Sequence, residues 1–306
     1  MRDTPRTIGS PTVDTELAAV LAEVARIERA FGPAMNPPAQ RRLVEARRAP
    51  WNQRAPRMTE EDVRAHGVEA RRFRPDHAEA GQIVYLHGGG WRVGSIAADS
   101  GIARWLASAT ATPVTALAYP LAPEHPFPAA LDSVIAALRQ LETGPGRLLL
   151  AGCSAGANLA LAAAIALRDQ GGPKVSGLVL AYGVFGASLD TATYREFGDG
   201  RFGLSREAME GYYLDYVPDR ARWADPRVAP LNADLQGLPP TFLAIAEADV
   251  LADDSRRMAA ALAAAGVAAT AREYAGLTHG FMAYASDVAA VARVYADIGA
   301  WSRGAA

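Results

Sequence analysis

Residues 147 to 164 read RLLLAGCSAGANLALAAA. A short apolar run passes into an Ala/Leu-rich stretch through Gly152, Cys153, Ser154, Ala155 and Gly156, with no room for a loop between them. The first part suits a buried strand and the second a helix, so the chain must turn from one into the other inside this segment. A strand feeding straight into a helix is the building unit of an α/β protein. That restricts the chain to few architectures.

The same alternation recurs along the sequence. Strands are expected at 68–74, 82–87, 113–119, 147–152, 177–183, 241–247 and 269–274. Helices are expected at 98–109, 128–142, 155–170, 253–265 and 283–302. Short apolar strands separated by helices imply a mostly parallel, doubly wound sheet covered on both faces. Before it, residues 14–30 place Leu17, Val20, Leu21, Val24 and Ile27 on one helical face, and a short charged helix is expected at 41–48. Nearly sixty residues separate the strand near 183 from that at 241, and they include the Tyr-rich SREAMEGYYLDYV. A gap that long inside a compact domain suits a lid. The expected division is 1–50 as the N-terminal helical part of a cap, 51–187 as the first part of the core, 188–224 as a cap insertion and 225–306 as the second part of the core.

With 306 residues, half of them hydrophobic, the chain can bury one large core. A net charge of −2 offers no basic stripe for nucleic acid. Lys174 is the only lysine, so nearly all positive charge is arginine. One cysteine permits no internal disulfide, which suits a reducing compartment. Charged residues interrupt the first thirty positions, so no secretory leader is expected. The longest apolar run, near 157–167, is short of the roughly 20 residues a bilayer crossing needs. Cytoplasm is the expected compartment, with no membrane partner.

Gly-x-Ser-x-Gly between a strand and a helix is the pattern of a nucleophile elbow. The tight turn lifts the central side chain above the sheet, at a helix N-terminus that favours negative charge. The central position is Ser154, and Cys153 lies one residue early and should point away. By itself the pentapeptide also fits a plain glycine-rich turn. A second motif, QIVYLHGGGW at 82–91, sets three glycines directly after a strand. Such a loop can bring backbone N–H groups to a developing oxyanion, and the donors are assigned to Gly89, Gly90 and Ala155. His87 is expected to shape the loop. Neither a Walker lysine nor a dinucleotide glycine pattern follows, which disfavours a phosphate loop.

The partners of such a serine follow in the order acid, then histidine. Of His66, His77, His87, His125 and His279, only His279 follows the last strand. Asp249 is the first acid past the strand TFLAIAE, with Glu247, Asp253 and Asp254 as competitors. Asp253 and Asp254 suit the start of the next helix.

Taken together, HGGGW, AYPLAPEHPFPAAL, GCSAGAN, DPRVAPL, EADVLADD and LTHGF resemble, in order, the bacterial hormone-sensitive-lipase-like family of α/β-hydrolases. The resemblance covers about residues 68–303. It implies an α/β-hydrolase fold with a helical cap, Ser154 as nucleophile, Asp249 as acid and His279 as base. It also implies a carboxylesterase acting on short-chain acyl esters through an acyl-enzyme. No metal or organic cofactor is called for, and the expected partner is a small-molecule ester. Many members carry Asp or Thr at Cys153 and Gly at Ala157. The same machinery serves amidases, formamidases, carbamate hydrolases and lactonases, and plant hormone receptors use the fold for binding alone after losing a triad residue. Trp91, Phe202, Tyr212 and Tyr213 are candidates for an apolar pocket, with core packing as the competing role. Family members are often dimers, and a late edge strand at 269–274 could pair in a homodimer.

Overall fold

The computed structural model describes residues 11–140 and 146–304. Eight strands form one sheet: β1 (Thr59–Ala65), β2 (Val68–Arg74), β3 (Gly81–Leu86), β4 (Val114–Leu117), β5 (Arg147–Cys153), β6 (Val175–Ala181), β7 (Thr241–Ala248) and β8 (Ala269–Thr278). Their spatial order is β1-β2-β4-β3-β5-β6-β7-β8. From β4 to β8 every pairing is parallel, while β1–β2 and β2–β4 are antiparallel. The central strands are short and buried on both faces, as parallel strands between helical layers must be.

Helices α3 (Ser100–Thr110), α4 (Ala129–Gln140), α5 (Ala155–Gln170), α8 (Ala252–Ala264) and α9 (Ala289–Gly304) supply those layers. α4, α5 and α8 share one apolar cluster with one face of the sheet, and α3 and α9 share a second cluster with the other. α5 is apolar nearly all round because it lies under both the sheet and later loops. The C-terminal end of the helix expected at 128–142 falls outside the described residues.

Four further helices lie outside the layers: α1 (Thr15–Phe31), α2 (Pro37–Arg54), α6 (Ala192–Phe197) and α7 (Arg206–Tyr216). Asp14 caps α1 by accepting from the N–H groups of Glu16 and Leu17. Asn36 caps α2, with prolines at its first two positions. α2 is longer than the expected 41–48, because Pro50 is accommodated inside it and Asn52 continues the helix into contacts with the backbone of Ala97, Ala98 and Gly101.

Two other expectations are corrected. β1 was not foreseen, because TEEDVRA is almost wholly exposed. It is held by its register opposite β2, where Glu61 faces Arg72, Asp62 faces Arg71 and Arg64 faces Glu69. The helix expected from 283 begins at Ala289, since residues Phe281–Tyr284 form a separate 3-10 turn that buries all four side chains.

Candidate active site

Ser154 sits between β5 and α5 with φ 54° and ψ −120°, a conformation that costs a non-glycine residue energy. The flanking glycines explain how the turn closes. A Cβ on Gly152 would meet the carbonyl carbon of Gly156 at 2.3 Å, and one on Gly156 would meet the carbonyl oxygen of Leu86 at 2.0 Å. Asn158, one turn into α5, donates to the carbonyls of Val184 and Val228 and ties the helix start to later loops. The Ser154 side chain is thus held on a rigid seat, and the residue is 7% exposed.

Asp249 follows β7 and His279 follows β8, so both arrive at the same end of the sheet as Ser154. Asp249 Oδ2 accepts from His279 Nδ1 at 2.7 Å, and His279 Nε2 lies 3.1 Å from Ser154 Oγ. Asp249 is 2% exposed, and its Oδ1 accepts the Leu251 N–H. With Nδ1–H committed to the carboxylate, Nε2 is left as the acceptor toward the serine. Tyr182 packs edge-on against the imidazole with ring centroids 4.9 Å apart.

The three competing acids are engaged elsewhere. Glu247 accepts the Gly276 N–H, Asp253 pairs with Arg256, and Asp254 accepts the N–H groups of Phe185 and Gly186. His66, His77 and His125 are exposed. His87 is buried, stacks on Tyr119 at 4.2 Å and has Nδ1 2.8 Å from the Gly88 carbonyl oxygen. Burial holds its imidazole below the usual range, so it is neutral and shapes the loop.

The glycine loop after β3 passes in front of the serine. Gly89 has φ 120° and accepts from the N–H groups of Arg92 and Val93, closing a tight turn. Gly90 has φ 57°, and a Cβ there would strike the ring of Tyr212 at 2.3 Å. The N–H groups of Gly89, Gly90 and Ala155 donate to no acceptor among the described residues. The Gly88 N–H donates to Asp99 Oδ2, which also accepts from the Tyr85 hydroxyl.

A cavity of about 470 Å³ opens above Ser154 and His279. Leu21 and Val24 of α1, Arg47 and Arg48 of α2, and Met209 and Tyr212 of α7 line it, so helices outside the layers form its roof. Phe202 and Tyr212 line it as expected. Trp91 and Tyr213 do not, and this corrects the sequence reading. Both are fully buried; Trp91 stacks on Tyr216 at 4.5 Å and Tyr213 donates its hydroxyl to the Gly186 carbonyl. Their rings cement roof to core. Cys153 packs beneath the serine among Tyr85 and Tyr182 and borders the cavity; burial pushes its thiol up to about 12, which keeps it protonated and unreactive. Sequence reasoning missed Arg47 and Arg48, since nothing in a charged helix marks which cations face inward.

A mostly parallel sheet with a strained serine at a strand–helix elbow, and acid and histidine at the ends of later strands, defines the α/β-hydrolase class. A model of the alpha/beta hydrolase fold family matches residues 83–283. A carboxylesterase NlhH of Mycobacterium tuberculosis is 37% identical over 221 residues, covering 69% of each chain. An esterase of Acinetobacter venetianus is 32% identical over 239 residues, covering 77% of this chain and 79% of its own. Among solved structures, an esterase from the archaeon Pyrobaculum calidifontis superposes with a TM-score of 0.87 at 28% identity, over 96% of this chain and 98% of its own. An esterase from the bacterial hormone-sensitive lipase family gives the same score and identity, over 95% and 98%. The chain belongs to the α/β-hydrolase fold family, in its bacterial hormone-sensitive-lipase-like branch.

Proposed function

We propose that the protein is a carboxylesterase in which Ser154 is the nucleophile, His279 the base and Asp249 the orienting acid. The observation that carries this reading is the unbroken hydrogen-bonded run from Asp249 through His279 to Ser154 at the floor of a cavity. The names of the relatives support it.

In this mechanism His279 Nε2 takes the Ser154 proton as Oγ attacks the ester carbonyl. Asp249 fixes the imidazole tautomer and stabilises the imidazolium. The N–H groups of Gly89, Gly90 and Ala155 receive the oxyanion, and losing one such donor typically costs about 2.7–4 kcal/mol in the barrier. His279 then protonates the leaving alcohol, and afterwards activates the water that releases the acid. Phe202 and Tyr212 line the cavity wall, and the preference for short acyl chains is taken from the family resemblance. Residues 11–50 and 188–224 serve as the cap of this site, over a core formed by 51–140, 146–187 and 225–304; the remainder of the expected division lies outside the described residues. β8 is an edge strand, and pairing of two such edges would give a homodimer, which light scattering would read.

The test compares wild type and Ser154→Ala on p-nitrophenyl acetate, butyrate, octanoate and palmitate. The expected result is turnover of the short esters and a loss of roughly 10⁴–10⁶-fold in kcat in the variant. Turnover that survives the substitution would remove Ser154 from the mechanism. Best activity on palmitate would overturn the short-chain assignment.

A further inference from the structure

Three arginines face the cavity above Ser154: Arg47, Arg48 and Arg201. Two have carboxylate partners. Arg47 Nη1 lies 2.8 Å from Glu28 Oε1, and Arg201 Nη1 lies 2.8 Å from Asp199 Oδ2. Arg48 forms no ion pair among the described residues. Its Nη1 donates to the Gly280 carbonyl at 3.2 Å, its guanidinium lies 5.5 Å from the ring centroid of Tyr284, and its Nε is buried with no acceptor. Asp99 acts on it only from beyond ion-pair distance, and Asp99 Oδ2 is already taken by Tyr85 and Gly88.

A half-buried arginine without a carboxylate is costly, and a neutral side chain of similar length would line the wall more cheaply. Its place gives the charge a use. Gly280 follows His279 directly, so the guanidinium stands on the histidine side of the serine, inside the same cavity. A planar fork with spare donors matches a carboxylate better than any neutral group. On the ester-hydrolase reading above, we propose that Arg48 selects esters carrying a second, free carboxylate in the acyl or the alcohol part. Hydrolysis would add water across the ester bond of such a substrate, releasing a dicarboxylate with an alcohol, or a hydroxy acid with a simple acid.

Two pairs with matched carbon chains separate the sources of the carboxylate. Monoethyl glutarate against ethyl pentanoate places it on the acyl side, and 4-acetoxybutanoate against butyl acetate on the alcohol side. Acid release would be followed at fixed pH and ionic strength for wild type, Arg48→Gln and Arg48→Lys. Wild type should favour the anionic member of at least one pair by about tenfold or more in kcat/KM, with the difference mainly in KM. Arg48→Gln should bring that ratio to about one or below, and Arg48→Lys should keep part of it. The ratio within one protein is indifferent to the fraction folded. Preference for the neutral member in both pairs, or a ratio unchanged in Arg48→Gln, overturns the proposal. Calorimetric binding of the same two anions to Ser154→Ala, with and without Arg48→Gln, separates the two readings. Binding that needs Arg48 without any turnover would sink the hydrolase reading and keep the anion site. Turnover of neutral esters without binding of either anion would do the reverse, and the absence of both would sink both.

Discussion

The floor and the roof of the cavity are built on different principles. The floor is backbone. Ser154, Asp249 and His279 hang from the ends of β5, β7 and β8, and Gly152 and Gly156 are fixed by contacts to main-chain atoms that cannot move aside. The roof is side chain. α1, α2 and α7 reach the floor through packed rings and ion pairs, such as Trp91 on Tyr216, Arg92 with Asp215 and Arg41 with Glu124. Chemistry that tolerates errors of a fraction of an ångström belongs on the first kind of support. Discrimination between substrates can be altered on the second without disturbing it.

The sharpest way to break this comparison after the serine itself is Asp249→Asn. It leaves the shape of the floor intact and changes only which imidazole nitrogen carries the proton. A loss of about 10⁴ in kcat at unchanged melting temperature is expected. If activity and stability fell together, the floor would depend on this side chain for its fold as well. Next comes Trp91→Ala, which empties a fully buried site between floor and roof and should cost about 3–5 kcal/mol in urea unfolding. Its partner experiment, Tyr212→Ala, should alter the preference among acyl chain lengths with at most about half that loss of stability, because Tyr212 lines the cavity and is only part-buried.

A smaller effect concerns the seam. Asp254, on α8, accepts the N–H groups of Phe185 and Gly186 where the chain leaves the sheet for the roof. Burial raises its carboxyl to about 6, against the pull of those two hydrogen bonds. Between about pH 4 and 6 the folded chain therefore holds a proton that the unfolded chain has released. The contribution of Asp254 to stability falls by up to about 3 kcal/mol as the pH rises through this window, and is level above it. Asp254→Asn should abolish that component. Urea midpoints of the two proteins from pH 4 to 7 would show the wild type losing ground to the variant. Parallel curves would mean that Asp254 titrates normally.

The floor was legible in the sequence because its constraints are local. A glycine two residues either side of a serine, a triple glycine after a strand, and one histidine beyond the last strand each carry their reason within a few positions. Asp249 could be singled out among four acids for a similar reason, as the first past the strand TFLAIAE, and it is the one bonded to His279. The roof was not, because its constraints are relations between distant residues. TEEDVRA looks like a solvated loop until Arg71 and Arg72 are set opposite it. Trp91, Tyr212 and Tyr213 look alike in a string, yet only Tyr212 meets the cavity. Arg47 and Arg48 are two more charges in a charged helix until Glu28 on another helix is seen to satisfy one of them.

The order of strands has a consequence for synthesis. His279 is delivered by β8, the last strand of the sheet to leave the ribosome, while Ser154 is delivered by β5 much earlier. The elbow can form and strain itself while the chain is still growing, yet any fragment ending before residue 279 has a serine with no imidazole beside it. On the proposed mechanism, a nascent or truncated chain would be hydrolytically silent however well its earlier strands have folded. Activity in an extract would count only chains that have reached their final strand.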